Sequence, residues 1–125
     1  MIKREGKAEQ GQVGLGYAIA YFVSAGYTVS IPLNDCQKYD LIVENGQLSR
    51  VQVKTATQRT DTGWRVELRT SNSTKKGTVA RPFDKEKVDI LFVVCDDGSM
   101  YSIPTKNFDP VASCILGDKY KEFMV

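Results

Sequence analysis

The chain has 125 residues, 42% of them hydrophobic, and a net charge of only +2. That is one domain's length of chain, 1–125, with enough apolar material for a single core. The absence of histidine excludes serine and cysteine triads, histidine-ligated zinc and histidine-dependent nucleases, and leaves acid–base work to Asp, Glu, Lys, Tyr or metal-activated water.

Residues 8–25 read as a helix. Val13, Leu15, Ala18, Ala20, Tyr21, Phe22 and Val23 form a broad apolar face, and Gly26 is placed to cap its end. Gly14 and Gly16 each cost about 1 kcal/mol of helix propensity relative to Ala, a cost consistent with close packing of the helix on a sheet. Tyr27 to Ile31 is a short β-prone run stopped by Pro32, and Leu33 to Lys38 is a loop. Tyr39 to Glu44 and Ser49 to Thr55 read as strands joined by an Asn45-Gly46 turn, a hairpin signal. Trp64 to Thr70 alternates, with Trp64, Val66 and Leu68 on one side and Arg65, Glu67 and Arg69 on the other. That is a half-buried strand with a charged face. Trp64 reads as core, as do Tyr101 and Phe108. Residues 71–81 are rich in Ser, Asn, Thr, Lys and Gly, so a loop is expected. Val88 to Cys95 is nearly all apolar, as a central buried strand would be. Asp96-Asp97-Gly98 then turns the chain into Met100 to Ile103. Residues 105–116 suggest a short helix or turn, and the charged tail from Gly117 is expected to fray. This order predicts an α+β fold, a mixed central sheet flanked by helices.

Charge is unevenly spread. Residues 50–87 carry ten Lys/Arg against four Asp/Glu, a local balance of +6, while residues 88–125 stand at −3. The basic middle is the place to expect a polyanion. Cys36, Cys95 and Cys114 are odd in number and form no C-x-x-C pair, so free thiols are expected rather than zinc. The N-terminal dozen residues are polar, and no stretch approaches the roughly 20 apolar residues of a membrane span. A soluble, cytoplasmic protein is the expectation.

The chemistry concentrates in Tyr39-Asp40-Leu41-Ile42-Val43 and Val51-Gln52-Val53-Lys54-Thr55. Alternation puts Gln52 and Lys54 on one face of their strand, and the hairpin brings Asp40 toward it. A carboxylate, an amide and an ammonium then converge on one sheet edge. Mg²⁺ wants oxygen ligands, which Asp40, Gln52 and a backbone carbonyl such as that of Val53 supply. Lys54 is placed to orient the attacking water or to neutralise developing charge. Spacing alone leaves a bland reading open: Asp40 as a strand cap, and Gln52 and Lys54 as a solvated face.

The run GYTVSIPLNDCQKYDLIVENGQLSRVQVKT, Gly26 to Thr55, resembles the PD-(D/E)XK nucleases of the group I intron homing type, in which the motif is relaxed to D…Q-x-K. Asp40, Gln52 and Lys54 match that motif position by position. The resemblance extends over about residues 8–107. It implies a restriction-endonuclease-like core, Mg²⁺ as cofactor with Mn²⁺ able to substitute, and hydrolysis of double-stranded DNA. It also implies a homo-oligomer, a dimer or a tetramer. A junction-resolving or repair-type nuclease of a phage or mobile element is an alternative, as is a catalytically inert DNA-binding protein. One departure stands out: a glutamate common on the family's first helix is replaced here by Leu15. Gln12, on the same helix face, and Glu9, with the better chemistry, are the substitutes on offer. Arg59, Arg65, Arg69, Lys75, Lys76 and Arg81 are the candidate phosphate and base contacts, since a two-stranded ribbon fits the major groove and Arg pairs bidentately with guanine.

Overall fold

A computed structural model describes Ile2 and residues 6–125, excluding the side chains of residues 72–74. Among the described residues there is one α-helix, α1 (Lys7–Ser24). Ten strands follow: β1 (Thr28–Ser30), β2 (Leu41–Glu44), β3 (Leu48–Ala56), β4 (Gln58–Arg59), β5 (Trp64–Glu67), β6 (Thr70–Thr74), β7 (Gly77–Arg81), β8 (Ile90–Cys95), β9 (Met100–Pro104) and β10 (Ser113–Leu116). The central sheet runs β1-β2-β3-β8-β9, and β10-β5-β4 form a smaller second sheet. β3 and β8 pair in parallel, while the other neighbours in the central sheet are antiparallel, so that sheet is mixed.

Alternation along β8 explains why the molecule has two cores. Phe92 and Val94 face α1 and pack with Ala18, Phe22, Leu41, Val43 and Val51. Leu91, Val93 and Cys95 face the second sheet and pack with Val66, Leu68, Cys114 and Leu116. A strand covered on both faces must be apolar throughout, which is the pattern its sequence shows. α1 lies close on β3 because Gly14 has no side chain; a Cβ there would overlap the Thr55 methyl. The helix closes at Gly26, whose φ of 91° is readily open to glycine.

Three expectations are corrected. Residues 71–81 are not a loop: β6 and β7 form an antiparallel hairpin of their own, from Thr70↔Arg81 to Thr74↔Gly77. Polar residues on both faces concealed it, since no buried face imposes a period of two. Residues 105–116 do hold the expected short turn, a 3-10 helix at Thr105–Asn107, but they also hold strand β10, which was not expected. Cys114 and Leu116 alternate into the core there, and Ser113↔Glu67 through Leu116↔Trp64 pair it with β5. The tail from Gly117 is anchored: Asp118–Phe123 is 3-10 helix, Tyr120 is buried, and Met124 bridges to Tyr101. Trp64 is half-buried against the core with Val66 and Leu68, as its phase predicts.

The parallel pair is locked at its start by a carboxylate. Asp89 Oδ2 accepts from Arg50 N–H at 2.7 Å and from Arg50 Nε at 3.0 Å, and Oδ1 accepts from the guanidinium at 3.1 Å. Arg50 thereby holds the Asp89 carboxyl below its ordinary pKa, against a smaller opposing effect of burial. Both side chains are partly exposed, which screens the pair. Asp89→Ala should therefore cost about 1–2 kcal/mol at neutral pH. A depressed native pKa contributes stability above the unfolded value and loses it as pH falls through the native one. The gap between parent and variant in urea unfolding should thus close at acid pH; an unchanged gap there would contradict this account.

Candidate active site

The site begins where two strands part. Even-numbered β3 residues present their backbone to β8: Asp89 N–H bonds to Arg50 O and Asp96 N–H to Ala56 O, at 2.8 and 2.9 Å. Odd-numbered residues face β2, as the 2.8 Å bond from Asp40 N–H to Val51 O shows. β2 starts at Leu41, opposite Val51. Beyond that pair Val53 has no partner strand on this side. Asp40 fills the gap with its side chain, Oδ2 accepting from Val53 N–H at 2.8 Å. The Val53 carbonyl lies on the same open edge, and Asp40 Oδ1 accepts no hydrogen bond among the described residues. Gln52 and Lys54, both half-buried, rise from the β3 face opposite α1. Backbone alternation thus puts Gln52 and Lys54 on one face of β3 beside the edge that Asp40 occupies, although of the three only Lys54 lines the cleft between the sheets.

Lys54 opens into a cleft of about 590 Å³ between the sheets. Thr55 and Thr57 also line it, Arg65 and Glu67 of β5 with Arg69 just beyond that strand form one wall, and Lys7 and Gln10 close it from the start of α1. Asp40 is exposed as a residue, with protein packed around part of its carboxyl. That burial raises its pKa, against the Val53 hydrogen bond and the Lys54 charge. Burial also lowers the Lys54 pKa, against the pull of Asp40 and Glu67. Each group is disfavoured in its charged form and each charge favours the other, the pattern of groups positioned for chemistry rather than stability.

The wall is internally paired. Glu67 binds Arg69 Nε at 2.7 Å and lies 3.7 Å from an Arg65 guanidinium nitrogen. Arg69, above all, holds the Glu67 carboxyl below the usual range. Arg65 and Arg69 both reach the cleft, with one acid between them, although the strand expected from Trp64 to Thr70 ends at Glu67 and leaves Arg69 outside it. Glu67 was legible in that alternation and not singled out. Lys7 and Gln10 carried no signal in the helix pattern.

The remaining candidates lie apart. Glu9 and Gln12 are exposed on α1 and are not among the residues lining the cleft; Leu15 packs half-buried against the helix-side core. Arg59 stacks over the Trp64 ring at 5.6 Å and lines a separate hollow with Asp97 and Asp118. Arg81 stands at the foot of the β6–β7 hairpin, and Lys75 lies between the two strands, with Lys76 beside it. Cys95 and Cys114 are buried, and burial pushes each thiol up to about 11; Cys36 is free and exposed.

The described residues contain no cluster of three His, Cys, Asp or Glu side chains. What the site offers is one carboxylate, the open Val53 carbonyl and the Gln52 amide. That is an all-oxygen set of low charge. It fits a hard divalent cation that keeps several waters and meets further charge on substrate phosphates. If Gln52 is a ligand, Gln52→Leu should weaken Mn²⁺ binding roughly tenfold or more, while Gln52→Glu keeps or strengthens it. Calorimetric titration decides; unchanged binding in the leucine variant would remove Gln52 from the set.

A mixed sheet with an Asp at the mouth of one strand and Gln-x-Lys on the next defines a nuclease core of the PD-(D/E)XK class. The sequence profile of the PD-(D/E)XK endonucleases matches residues 6–116, and the chain belongs to that family. It is 40% identical over 82 residues to Protein 5.3 of Escherichia phage T7, a match spanning 63% of this chain and 65% of the phage protein. Its fold is that of the bacterial homing endonuclease I-Ssp6803I, with a TM-score of 0.70 and 23% identity over 91% of this chain and 82% of that one. No helix among the described residues is long and apolar enough to cross a membrane.

Proposed function

We propose that the protein is a divalent-metal-dependent endonuclease that hydrolyses phosphodiester bonds of double-stranded DNA, as a homing-type enzyme does. The observation that carries this is the parted edge of β2 and β3, where Asp40 is clamped on Val53 N–H beside Lys54. Asp40, Gln52 and the Val53 carbonyl would hold Mg²⁺, or Mn²⁺ in its place. Such a cation, when bound, polarises the phosphate as a Lewis acid. Lys54 brings an ammonium to the cleft, where it neutralises charge developing on the phosphoryl oxygens. Its half-buried setting strengthens that interaction relative to water. The cleft's basic residues, Lys7, Arg65 and Arg69, hold the backbone on either side of the scissile bond. One chain has one such site, so a double-strand break calls for two copies, a homo-oligomer working on opposite strands. A cytoplasmic setting, with free thiols, agrees with this reading.

Leu15 favours a second reading. With an apolar side chain at the family's helix-glutamate position, Asp40 is the one carboxylate of the candidate ligand set, and the protein would bind DNA without cutting it. One experiment separates the two. Supercoiled plasmid is incubated with the protein in Mg²⁺, in Mn²⁺ and in chelator. Nicked and linear product in the metal-containing reactions alone is the expected result. Plasmid that is retarded in a gel but stays supercoiled in both metals would establish the inert reading instead.

A further inference from the structure

We infer that the β6–β7 hairpin is a groove-reading ribbon that enters the major groove of the duplex whose backbone occupies the Lys54 cleft. This rests on the nuclease reading above and adds the element that would choose where the enzyme acts.

Two strands alone are barely stable in water, yet among the described residues β6 and β7 pair only with each other. Every described side chain from Ser71 to Pro82 is exposed. The hairpin thus contributes little to either core, and the fold does not explain its length. Its charge is one-signed. From residue 68 to residue 83 there are four cations, Arg69, Lys75, Lys76 and Arg81, and no acid. Val79 is 40% exposed in the middle of this basic ribbon, where water is a poor neighbour and a thymine methyl a good one.

Dimensions select the groove. Five residues per strand at about 3.4 Å each make the ribbon roughly 17 Å long, enough to reach the floor of a groove about 8.5 Å deep. A ribbon with its side chains is about 10 Å thick. That enters the major groove, about 12 Å wide, and not the minor groove, about 6 Å wide. Position supplies the last link. Arg69, Thr70 and Ser71, where the ribbon leaves β5, are also the wall of the Lys54 cleft. A backbone seated against Lys54 and Arg69 therefore brings the adjoining groove to the ribbon. Cross-strand pairing puts Val79 on the face shared by Thr70 and Arg81, and Thr78 and Ala80 on the other. Short side chains there let the backbone approach base edges closely, while Lys75 reaches phosphates.

The test uses the full chain with a fluorescent random-sequence duplex in Ca²⁺, so that binding is read without cleavage. In one variant residues 72–79 are replaced by Asn-Gly, closing Ser71 on Ala80. Two point variants, Lys75→Ala and Val79→Asp, stand in if the shortened hairpin disturbs the urea unfolding midpoint. Anisotropy is expected to show affinity lower by at least about tenfold in the shortened and Val79→Asp variants. Lys75→Ala should lower the salt slope of the log–log plot by about 1. Dimethyl sulfate interference should block parental binding through guanine N7 in the major groove, and not through adenine N3 in the minor groove. A parent that binds no duplex would overturn the nuclease reading and the ribbon together. A parent that binds, with shortened and point variants binding equally well or with interference at N3 alone, would overturn the ribbon only. So would loss of self-association in the shortened variant with DNA binding intact, which would make the hairpin a contact between copies.

Discussion

Asp40→Asn and Lys54→Met should each lower the rate of plasmid cleavage by roughly 100- to 1,000-fold, the cost typical of removing one fixed charge-stabilising group. Neither should unfold the protein. Asn keeps an oxygen that can accept from Val53 N–H, the one hydrogen bond that Asp40 side-chain geometry provides to the sheet. It also removes a carboxylate whose ionised form burial disfavours. Met keeps the length and apolar stem of Lys54 and removes an ammonium that burial likewise disfavours. Thermal unfolding at neutral pH should therefore show both variants about as stable as the parent, because Asp40 is exposed and solvent screens its charge. Activity lost with stability kept is the signature of a site built for chemistry. Either variant cutting at the parental rate would place the active site elsewhere. Activity lost together with a large fall in Tm would make the pair a structural lock, the bland reading that spacing alone leaves open.

How far the site was legible follows from which physical signals the sequence carried. The Asp40, Gln52 and Lys54 arrangement was legible because a hairpin and a period of two are local properties. Val51, Val53 and Thr55 face α1, and their alternates face away, whatever the rest of the chain does. The hairpin itself is one residue longer than Asn-Gly suggested: Glu44 pairs with Leu48, and Gly46 takes a φ of 83° within a three-residue loop. What local pattern could not reveal was the second layer. β10 comes from residues 113–116 and pairs with β5 some fifty residues earlier. The wall opposite Lys54 therefore depends on contacts between distant segments. Charge counting also overstated the free positive charge in the cleft, because Glu67 sits between Arg65 and Arg69. A sum over a segment cannot show that two of its cations share an acid. The helix carboxylate is a third kind of case. Leu15 was legible as a departure, and the geometry leaves Glu9 and Gln12 exposed rather than in the cleft.

Gly63→Ala should destabilise the protein by on the order of 3 kcal/mol, where Gly14→Ala should cost about 1 kcal/mol or less. Both glycines sit where an added Cβ overlaps a neighbour, so the contrast depends on what must give way. At Gly14 the neighbour is the Thr55 methyl, with Val53 Cγ1 next at 3.8 Å. Thr55 can change rotamer, and alanine regains about 1 kcal/mol of helix propensity. At Gly63 the neighbours are backbone. The new Cβ would overlap the Leu116 carbonyl oxygen and lie 2.5 Å from its carbon and 2.8 Å from Gly117 N. A Cβ on Gly117 would in turn meet Thr62 O at 2.6 Å. The two segments cross backbone against backbone, beside the Leu116↔Trp64 pair that joins β10 to β5. Relief requires sliding one strand past the other, and that would disturb the sheet carrying Arg65 and Glu67 into the cleft. Urea unfolding of both variants checks the difference. Plasmid binding by Gly63→Ala, below its unfolding midpoint, should fall with it, while Gly14→Ala binds as the parent does. Equal and small costs at the two positions would mean that the close crossing at Gly63 does not hold the second sheet in place.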